Sequence, residues 1–260
     1  MNDEATARKN ARLALACLDL TSLTEGHDTQ GGEADIEALC VRAQGPASRQ
    51  GHVAAVCVWP RQAGLARSLL PPTIAVAAVA NFPDGSSDIA RAVRDTAAIA
   101  TAGAQEVDVV IPYRELGAAP ALLTAVRREC AGLVLKVIVE TGELKDEVLI
   151  LQACRMALDA GADFLKTSTG KRPVAATPAA ARLLLSAIAI DPQARSRVGF
   201  KPAGGIRTVA DAALYMQLTA EMLGADAVTP ARFRIGASGL LNDIEAVLSG
   251  ASRPATGSTY

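Results

Sequence analysis

Several features that define other protein classes are missing from this sequence. The formal net charge is -1 over 260 residues, so the chain lacks the overall positive charge that is typical of nucleic-acid-binding proteins. No apolar run approaches the roughly 20 residues that a membrane helix needs, and the N-terminal segment MNDEATARKNAR is too polar for a secretory signal. We therefore expect a cytoplasmic protein that binds neither membranes nor nucleic acids.

Groups that hold metals and cofactors are also scarce. The two histidines, His27 and His52, do not lie at ligand spacing from a cysteine or a carboxylate pair. The five cysteines are scattered and never form a CxxC pair, so we expect reduced thiols packed in the core. No GxGxxG follows the first predicted strand, and the P-loop pattern GxxxxGK followed by Ser or Thr is absent. We expect chemistry without a metal or a cofactor.

What is present is a regular alternation of short β-rich apolar runs with Ala/Leu-rich segments of helical period, which is typical of βα units around a parallel sheet. The candidate strands lie near 13–20, 52–59, 73–81, 105–111, 133–140, 163–168, 197–202 and 232–238. With no long polar linker between them, the pattern predicts a single-domain α/β protein over 1–260, a (β/α)₈ TIM barrel rather than a doubly wound open sheet. A mobile or helical lead-in over about 1–10 and a flexible tail over about 251–260 would flank it.

Helix boundaries are clearest where capping residues and glycines coincide. We predict one helix from an N-cap at Ser86 or Ser87 to about Gly103, and others over 143–161, 177–190 and 208–224.

Charged residues inside predicted strands are the first candidates for chemistry, because a charge in a strand is costly to bury unless it faces a functional site. They are Asp108, Lys136, Glu140, Lys166 and Lys201. Strand periodicity allows Lys166 and Lys201 to face inward on consecutive strands about 4.8 Å apart. A lysine attacks a carbonyl as the free amine, and a neighbouring ammonium in a dry pocket disfavours a second positive charge. The alternative is that each lysine is a surface charge or half of a buried pair with Asp108 or Glu140.

Asp108 is the natural acid/base candidate, since chemistry through an imine needs proton transfers that a carboxylate can relay through water. It is alternatively a structural carboxylate paired with Lys136 or Lys201, and the two roles can coexist.

Small residues after the last three predicted strands suggest an anion site. Loops after strands 7 and 8, with a helix N-terminus, commonly bind phosphate in barrels because backbone N–H groups can approach the oxyanion. Alternatively, the glycines only permit tight turns. The residues are Ser168, Thr169, Gly170 and Lys171; Gly204 and Gly205; and Gly236, Ala237 and Ser238 before a helix beginning near Gly239 or Leu240.

Five motifs, in this order and spacing, resemble the deoxyribose-phosphate aldolase family from about residue 13 to 248: EVDVVIPYR, LKVIVETGELKDE, DFLKTSTGK, GFKPAGGIRT and RIGASGLL. The resemblance implies a class I aldolase that reversibly cleaves 2-deoxy-D-ribose 5-phosphate to acetaldehyde and D-glyceraldehyde 3-phosphate, in deoxyribonucleotide catabolism. It implies that Lys166 forms the Schiff base, that Lys201 perturbs it and that Asp108 relays protons.

The predicted ligand is a small sugar phosphate, and a homodimer is left open. By resemblance, Asp19 and Thr21 reach substrate hydroxyls, although capping of the following turn explains them equally. Tyr260 matches a C-terminal proton carrier, or is simply a flexible last residue. The predicted substrate-binding residues are Asp19, Thr21, Lys136, Thr169, Gly170, Lys171, Gly204, Gly205, Gly236 and Ser238.

Two positions depart from the family pattern. Gly239 replaces a serine of some members, and Asp84 stands where a histidine is frequent. Cys57 lies where some members have a cysteine open to aldehydes, but a packed core thiol is the favoured interpretation. Two other functions are considered: a different Schiff-base barrel, such as a transaldolase or keto-acid lyase, and a non-catalytic sugar-phosphate-binding barrel.

Overall fold

The central feature of the computed structural model, which describes residues 2–26, 32–45 and 51–250, is a parallel sheet that closes on itself. Its strands pair in the order β7-β6-β5-β4-β3-β2-β1-β8. Bridges between Phe200 and Phe233 and between Ala203 and Gly236 join the two ends. This confirms the predicted (β/α)₈ barrel. The strands β1 to β8 are Leu18–Thr21, Ala55–Val58, Ala75–Ala80, Glu106–Val110, Val134–Ile138, Phe164–Lys166, Gly199–Lys201 and Ile235–Ala237.

Helices surround the strands and follow them in sequence. Short 3₁₀ turns at Pro60–Gln62, Leu116–Ala118 and Ala225–Ala227 join some of the elements. Within the described ranges, none of the helices is both long and apolar enough to cross a membrane. The helices α1 to α10 are Asn2–Ala16, Glu33–Ala43, Ala63–Leu69, Ile89–Thr101, Ala119–Glu129, Thr141–Leu144, Glu147–Asp159, Pro178–Ile190, Val209–Leu223 and Leu240–Ser249.

The first helix corrects one predicted boundary. The apolar run expected to be strand over 13–20 belongs to α1 as far as Ala16, and β1 begins only at Leu18. Ala11 and Ala14 are fully buried in this helix, which packs against α9 and α10. The lead-in is therefore helical. The tail predicted over 251–260 lies outside the described residues.

Side-chain caps explain where the other helices begin. Thr208 and Asp211 form a reciprocal capping box at α9, and Thr177 caps α8 through the N–H of Ala180, both at the predicted positions. The predicted cap of α4 is wrong. Its N-cap is Asp88, which accepts from the Arg91 N–H, whereas the Ser86 hydroxyl donates to Asn81.

The helix predicted over 143–161 is two helices. Lys145 has φ 60°, which breaks the helical path between α6 and α7. Asp146 then caps the new start by accepting from the N–H groups of Val148 and Leu149. The five cysteines are buried with free thiols, as predicted.

Gly199 of β7 offers a test of barrel packing. A Cβ there would collide with the ring of Phe164 and lie 2.7 Å from the Arg232 carbonyl oxygen. We expect Gly199→Ala to lower the free energy of unfolding by about 1–3 kcal/mol, the usual range for overpacking. The measurement is urea denaturation.

The matched control is Gly117→Ala, because a Cβ at this exposed position meets no atom within 4 Å among the described residues. Equal stability of the two variants would contradict the packing described for β7.

Candidate active site

Charged side chains converge inside the barrel, where aliphatic residues would be expected to fill the core. Each is less than one-tenth exposed. They come from β1, β4, β5, β6 and β7 and from the segment just before β8. We call this set the ion cluster: Asp19, Glu106, Asp108, Lys136, Lys166, Lys201 and Arg234.

Strand register brings the cluster together. Lys166 and Lys201 are Cα partners at the C-terminal ends of β6 and β7, and Asp108 is the partner of Lys136 on β4 and β5. Because side chains alternate along a strand, Glu106 shares the inward face of Asp108. Both lysines face the interior of the barrel, as the strand period predicted.

Asp108 holds three ammonium groups at once. Its Oδ2 accepts from Lys166 at 2.7 Å and from Lys201 at 2.8 Å, and its Oδ1 accepts from Lys136 at 2.8 Å. The two amines of Lys166 and Lys201 are therefore no farther apart than these two bonds combined. The structural pairing considered for Asp108 is present, and it places the carboxylate directly against Lys166.

Further ion pairs link Lys201 to Lys136 through three other charged side chains, so that the contacts form a closed ring. Lys201 donates to Asp19 at 2.5 Å, and Asp19 accepts from Arg234 at 2.7 Å. Arg234 donates to Glu106 at 2.7 Å, and Glu106 lies 2.5 Å from Lys136. We call Asp108, Lys201, Asp19, Arg234, Glu106 and Lys136 the ion ring. Positive and negative charges alternate around it, and Lys166 attaches to it through Asp108.

The ring fixes the charge of its members. Burial opposes ionisation of Asp108, but Lys136, Lys166 and Lys201 outweigh it and hold the pKa of Asp108 well below its usual range. Burial also opposes the charge on Lys201, yet Asp108 and Asp19 raise the pKa of Lys201 above its ordinary value. Asp108 is thus a carboxylate and Lys201 an ammonium near neutral pH.

A cavity of about 640 Å³ opens above the ion cluster at the C-terminal ends of the strands. Lys166 lines it, while Asp108 and Lys201 lie behind Lys166 and are fully buried. The remaining walls come from the loops after β1, β6, β7 and β8 and from the first turn of α10, and most of their residues are small or polar. Those predicted from the sequence are Thr21, Thr169, Gly170, Lys171, Gly204, Gly205, Gly236 and Ser238.

Glycine is required where two of these loops meet. Gly204 has φ 83°, and a Cβ there would lie 2.7 Å from the Ala175 Cβ and 3.0 Å from the Gly170 Cα. The loops after β6 and β7 therefore bring backbone groups to the cavity wall. The helix α10 begins directly after Ser238 and Gly239, so its free N–H groups lie at the same wall.

Two predicted binding residues lie elsewhere. Asp19 and Lys136 are fully buried below the cavity rather than in its lining, because their polar groups are engaged within the ion ring. Asp19 is also not an N-cap, since it lies within β1. Tyr260 lies outside the described residues.

Of the two departures from the family pattern, Gly239 lines the cavity and Asp84 does not. Gly239 precedes α10 without a side-chain cap, and Asp84 forms an ion pair with Arg91 at 2.9 Å. Cys57 lies 4.0 Å from Asp108 Oδ2, and burial raises the pKa of its thiol. Cys57 is therefore a thiol packed in the core.

Sequence reasoning missed Glu106 and Arg234 and left Glu140 without a defined role. A signal existed for Glu106, which stands two residues before Asp108 and therefore on the same strand face. Glu140 is buried with φ 55°, and its carboxylate accepts from the Thr169 N–H at 3.2 Å. Burial raises the pKa of Glu140.

Residues 13–245 match the family model described as DeoC/LacD family aldolase. The chain belongs to this aldolase family. The aldolase is 44% identical over 261 residues to the deoxyribose-phosphate aldolase of Agrobacterium fabrum (strain C58), covering 97% of each chain.

Solved aldolase structures are similar to this chain in fold. A deoxyribose-phosphate aldolase from Aeropyrum pernix, described as tetrameric, matches this aldolase with TM-score 0.72 and 25% identity over 96% of this chain and 99% of that one. An aldolase designated QR15 matches with TM-score 0.74 and 29% identity over 91% of this chain and 96% of that one.

The ion ring predicts the acid sensitivity of the fold. Burial opposes ionisation of Asp19, but Lys201 and Arg234 hold its pKa below the ordinary value of 3.8. The stabilisation from this carboxylate is therefore present above about pH 4 and is lost as the pH falls toward the folded-state pKa. We expect Asp19→Asn to lower the free energy of unfolding at pH 7 by about 3–5 kcal/mol and to flatten its decline below about pH 4.

Urea denaturation at a series of pH values measures both effects. The exposed exchange Glu37→Gln, in the middle of α2, serves as the control and should change neither. An acid decline of unaltered slope in Asp19→Asn would show that this carboxylate does not carry the linkage.

Proposed function

We propose that this aldolase reversibly cleaves 2-deoxy-D-ribose 5-phosphate to acetaldehyde and D-glyceraldehyde 3-phosphate, in deoxyribonucleotide catabolism, with Lys166 as the Schiff-base nucleophile. One observation carries the proposal: Lys166 lines the glycine-rich cavity and bonds to a buried carboxylate at 2.7 Å. The 44% identical relative from Agrobacterium fabrum is a deoxyribose-phosphate aldolase, which supports the choice of substrate.

The proposed reaction begins at the carbonyl carbon C1. The free amine of Lys166 attacks C1, and loss of water from the carbinolamine gives an imine. Removal of the proton from the C3 hydroxyl then breaks the C2–C3 bond, which releases D-glyceraldehyde 3-phosphate and leaves an enamine on Lys166. Protonation at C2 and hydrolysis of the imine release acetaldehyde and restore the amine.

Asp108 is proposed to relay these protons. It is held as a carboxylate by three ammonium groups and lies behind Lys166, so it would reach the substrate through a water molecule. Lys201 is proposed to disfavour a second ammonium at Lys166, because both amines bond to the same oxygen of Asp108.

The phosphate is proposed to bind at the cavity wall formed by the loops after β7 and β8. Gly204, Gly205, Gly236 and Ser238 line that wall beside the N-terminus of α10, where backbone N–H groups and the helix dipole favour an anion. Lys171 adds a positive side chain there. Gly239 provides no hydroxyl, so this wall relies on backbone groups.

The remaining predictions also stand as proposals. We propose a cytoplasmic enzyme without nucleic acid or membrane partners, and Tyr260 as a proton carrier. A homodimer is proposed because α7 exposes apolar side chains at Val148, Leu149 and Leu151 that would gain from burial.

Reductive trapping tests the nucleophile. With limiting acetaldehyde and borohydride, we expect digestion and mass spectrometry to find an ethyl group on Lys166, because its amine faces the cavity. Lys166→Arg should abolish this rapid modification, whereas Lys9→Arg, an exchange of an exposed lysine, should leave it intact.

Unmodified Lys166 in the folded protein would overturn the Schiff-base mechanism and favour a barrel that only binds sugar phosphates. Trapping by acetaldehyde but no turnover of 2-deoxy-D-ribose 5-phosphate would favour a different Schiff-base enzyme.

Substitution of Lys201 tests its electrostatic role. In Lys201→Leu we expect turnover to fall strongly and the rising limb of the rate against pH to move to higher pH. The reason is that the carboxylates Asp19 and Asp108 lose a countercharge and Lys166 loses a repelling one. The measurement is steady-state turnover from pH 5 to 10. A reduced turnover whose rising limb stays at the same pH as in the wild type would contradict this role.

A further inference from the structure

The side of the ion ring remote from Lys166 is formed by Arg234 and Glu106. Arg234 precedes β8 at the N-terminal end of the barrel, where it borders a second cavity of about 500 Å³. It therefore lies at the opposite end from the proposed substrate. We propose that Arg234 and Glu106 are positioning residues that set the pH range in which Lys166 reacts. This inference rests on the proposed imine at Lys166.

The charges of the ring support this role. Three carboxylates, Asp19, Glu106 and Asp108, alternate with three cations, Lys136, Lys201 and Arg234. With all six groups charged, the ring has no net charge. A protonated Lys166 therefore gives the ion cluster a net charge of +1. Loss of one charge from the ring therefore changes how readily Lys166 holds a proton, even when the lost charge lies at the far end.

Outside the ring, Cys57 and Glu140 interact with Lys166, and Lys171, Arg207 and Asp243 line the same cavity. Cys57 of β2 is a thiol whose pKa is raised by burial, so it contributes no charge near neutral pH. Glu140 follows β5 and accepts from the Thr169 N–H. Strand β3, AVAAVA, supplies none. None of these groups outside the ring is altered when Arg234 or Glu106 is substituted, so their effect is common to every variant compared.

Opposite substitutions should have opposite effects. Arg234→Met leaves the ring with one net negative charge, which favours protonated Lys166 and moves its reactivity to higher pH. Glu106→Gln leaves one net positive charge, which favours the free amine and moves the reactivity to lower pH. We expect each shift to be on the order of one pH unit, because a unit charge in the same buried cluster acts on Lys166 at an effective dielectric of about 20. The double variant should return close to the wild type.

The experiment follows the rate of Lys166 ethylation by acetaldehyde and cyanoborohydride from pH 5 to 10, read by mass spectrometry. Thermal melting confirms that each variant is folded under the assay conditions. Arg234→Lys keeps the charge and should keep the wild-type profile. Arg155→Met removes an arginine from an exposed pair with Asp159 and should not shift it either.

Shifts of opposite sign, cancelling in the double variant, would support the proposal. Ethylation-rate profiles that do not shift along the pH axis, or that shift in the same direction in both variants, would overturn it, whatever the loss of stability. If one variant does not fold, the sign of the shift in the other decides. Absence of Lys166 ethylation in the wild type would instead overturn the proposed function, which keeps the two failures distinct.

Discussion

The closed ring of alternating buried charges is the constraint on which the site depends. Moving a charge from water into a barrel interior costs free energy. Nearby opposite charges offset this cost only when their geometry is good. Each ring member meets this condition by contacting two groups of opposite sign. The ring also ties strand register to chemistry, because a slip of one residue in β6 would turn Lys166 away from Asp108 and the cavity.

The ring and the cavity divide the proposed work between them. The ring supplies fixed charges in a buried environment, where electrostatic effects are stronger than in water. The loops after β6, β7 and β8 bring backbone groups to the cavity wall where we propose that the phosphate binds, and Lys166 lines the same cavity. Membership in the aldolase family agrees with this division.

Much of this arrangement could be predicted from the sequence, for identifiable reasons. Asp108, Lys166 and Lys201 stand out because a charge inside an apolar strand needs an inward role, and chain order makes β6 and β7 neighbours. The glycine loops follow from the same order. The contact of Arg234 with Glu106 could not be predicted, since it joins residues 128 positions apart across the barrel interior. For the same reason, strand patterns alone could not show that Asp19 and Lys136 lie in the ring rather than in the cavity wall. The break at Lys145 was hidden because helical period continues on both sides of it.

The most direct test of the central claim is a crystal structure of the enzyme reduced with borohydride in the presence of 2-deoxy-D-ribose 5-phosphate. The expected result is electron density continuous from Lys166 Nζ to C1 of the sugar, with Asp108 still between Lys166 and Lys201 and the phosphate against Gly204, Gly205 and Ser238. Density joined to Lys201 instead, or a phosphate bound away from the N-terminus of α10, would contradict it.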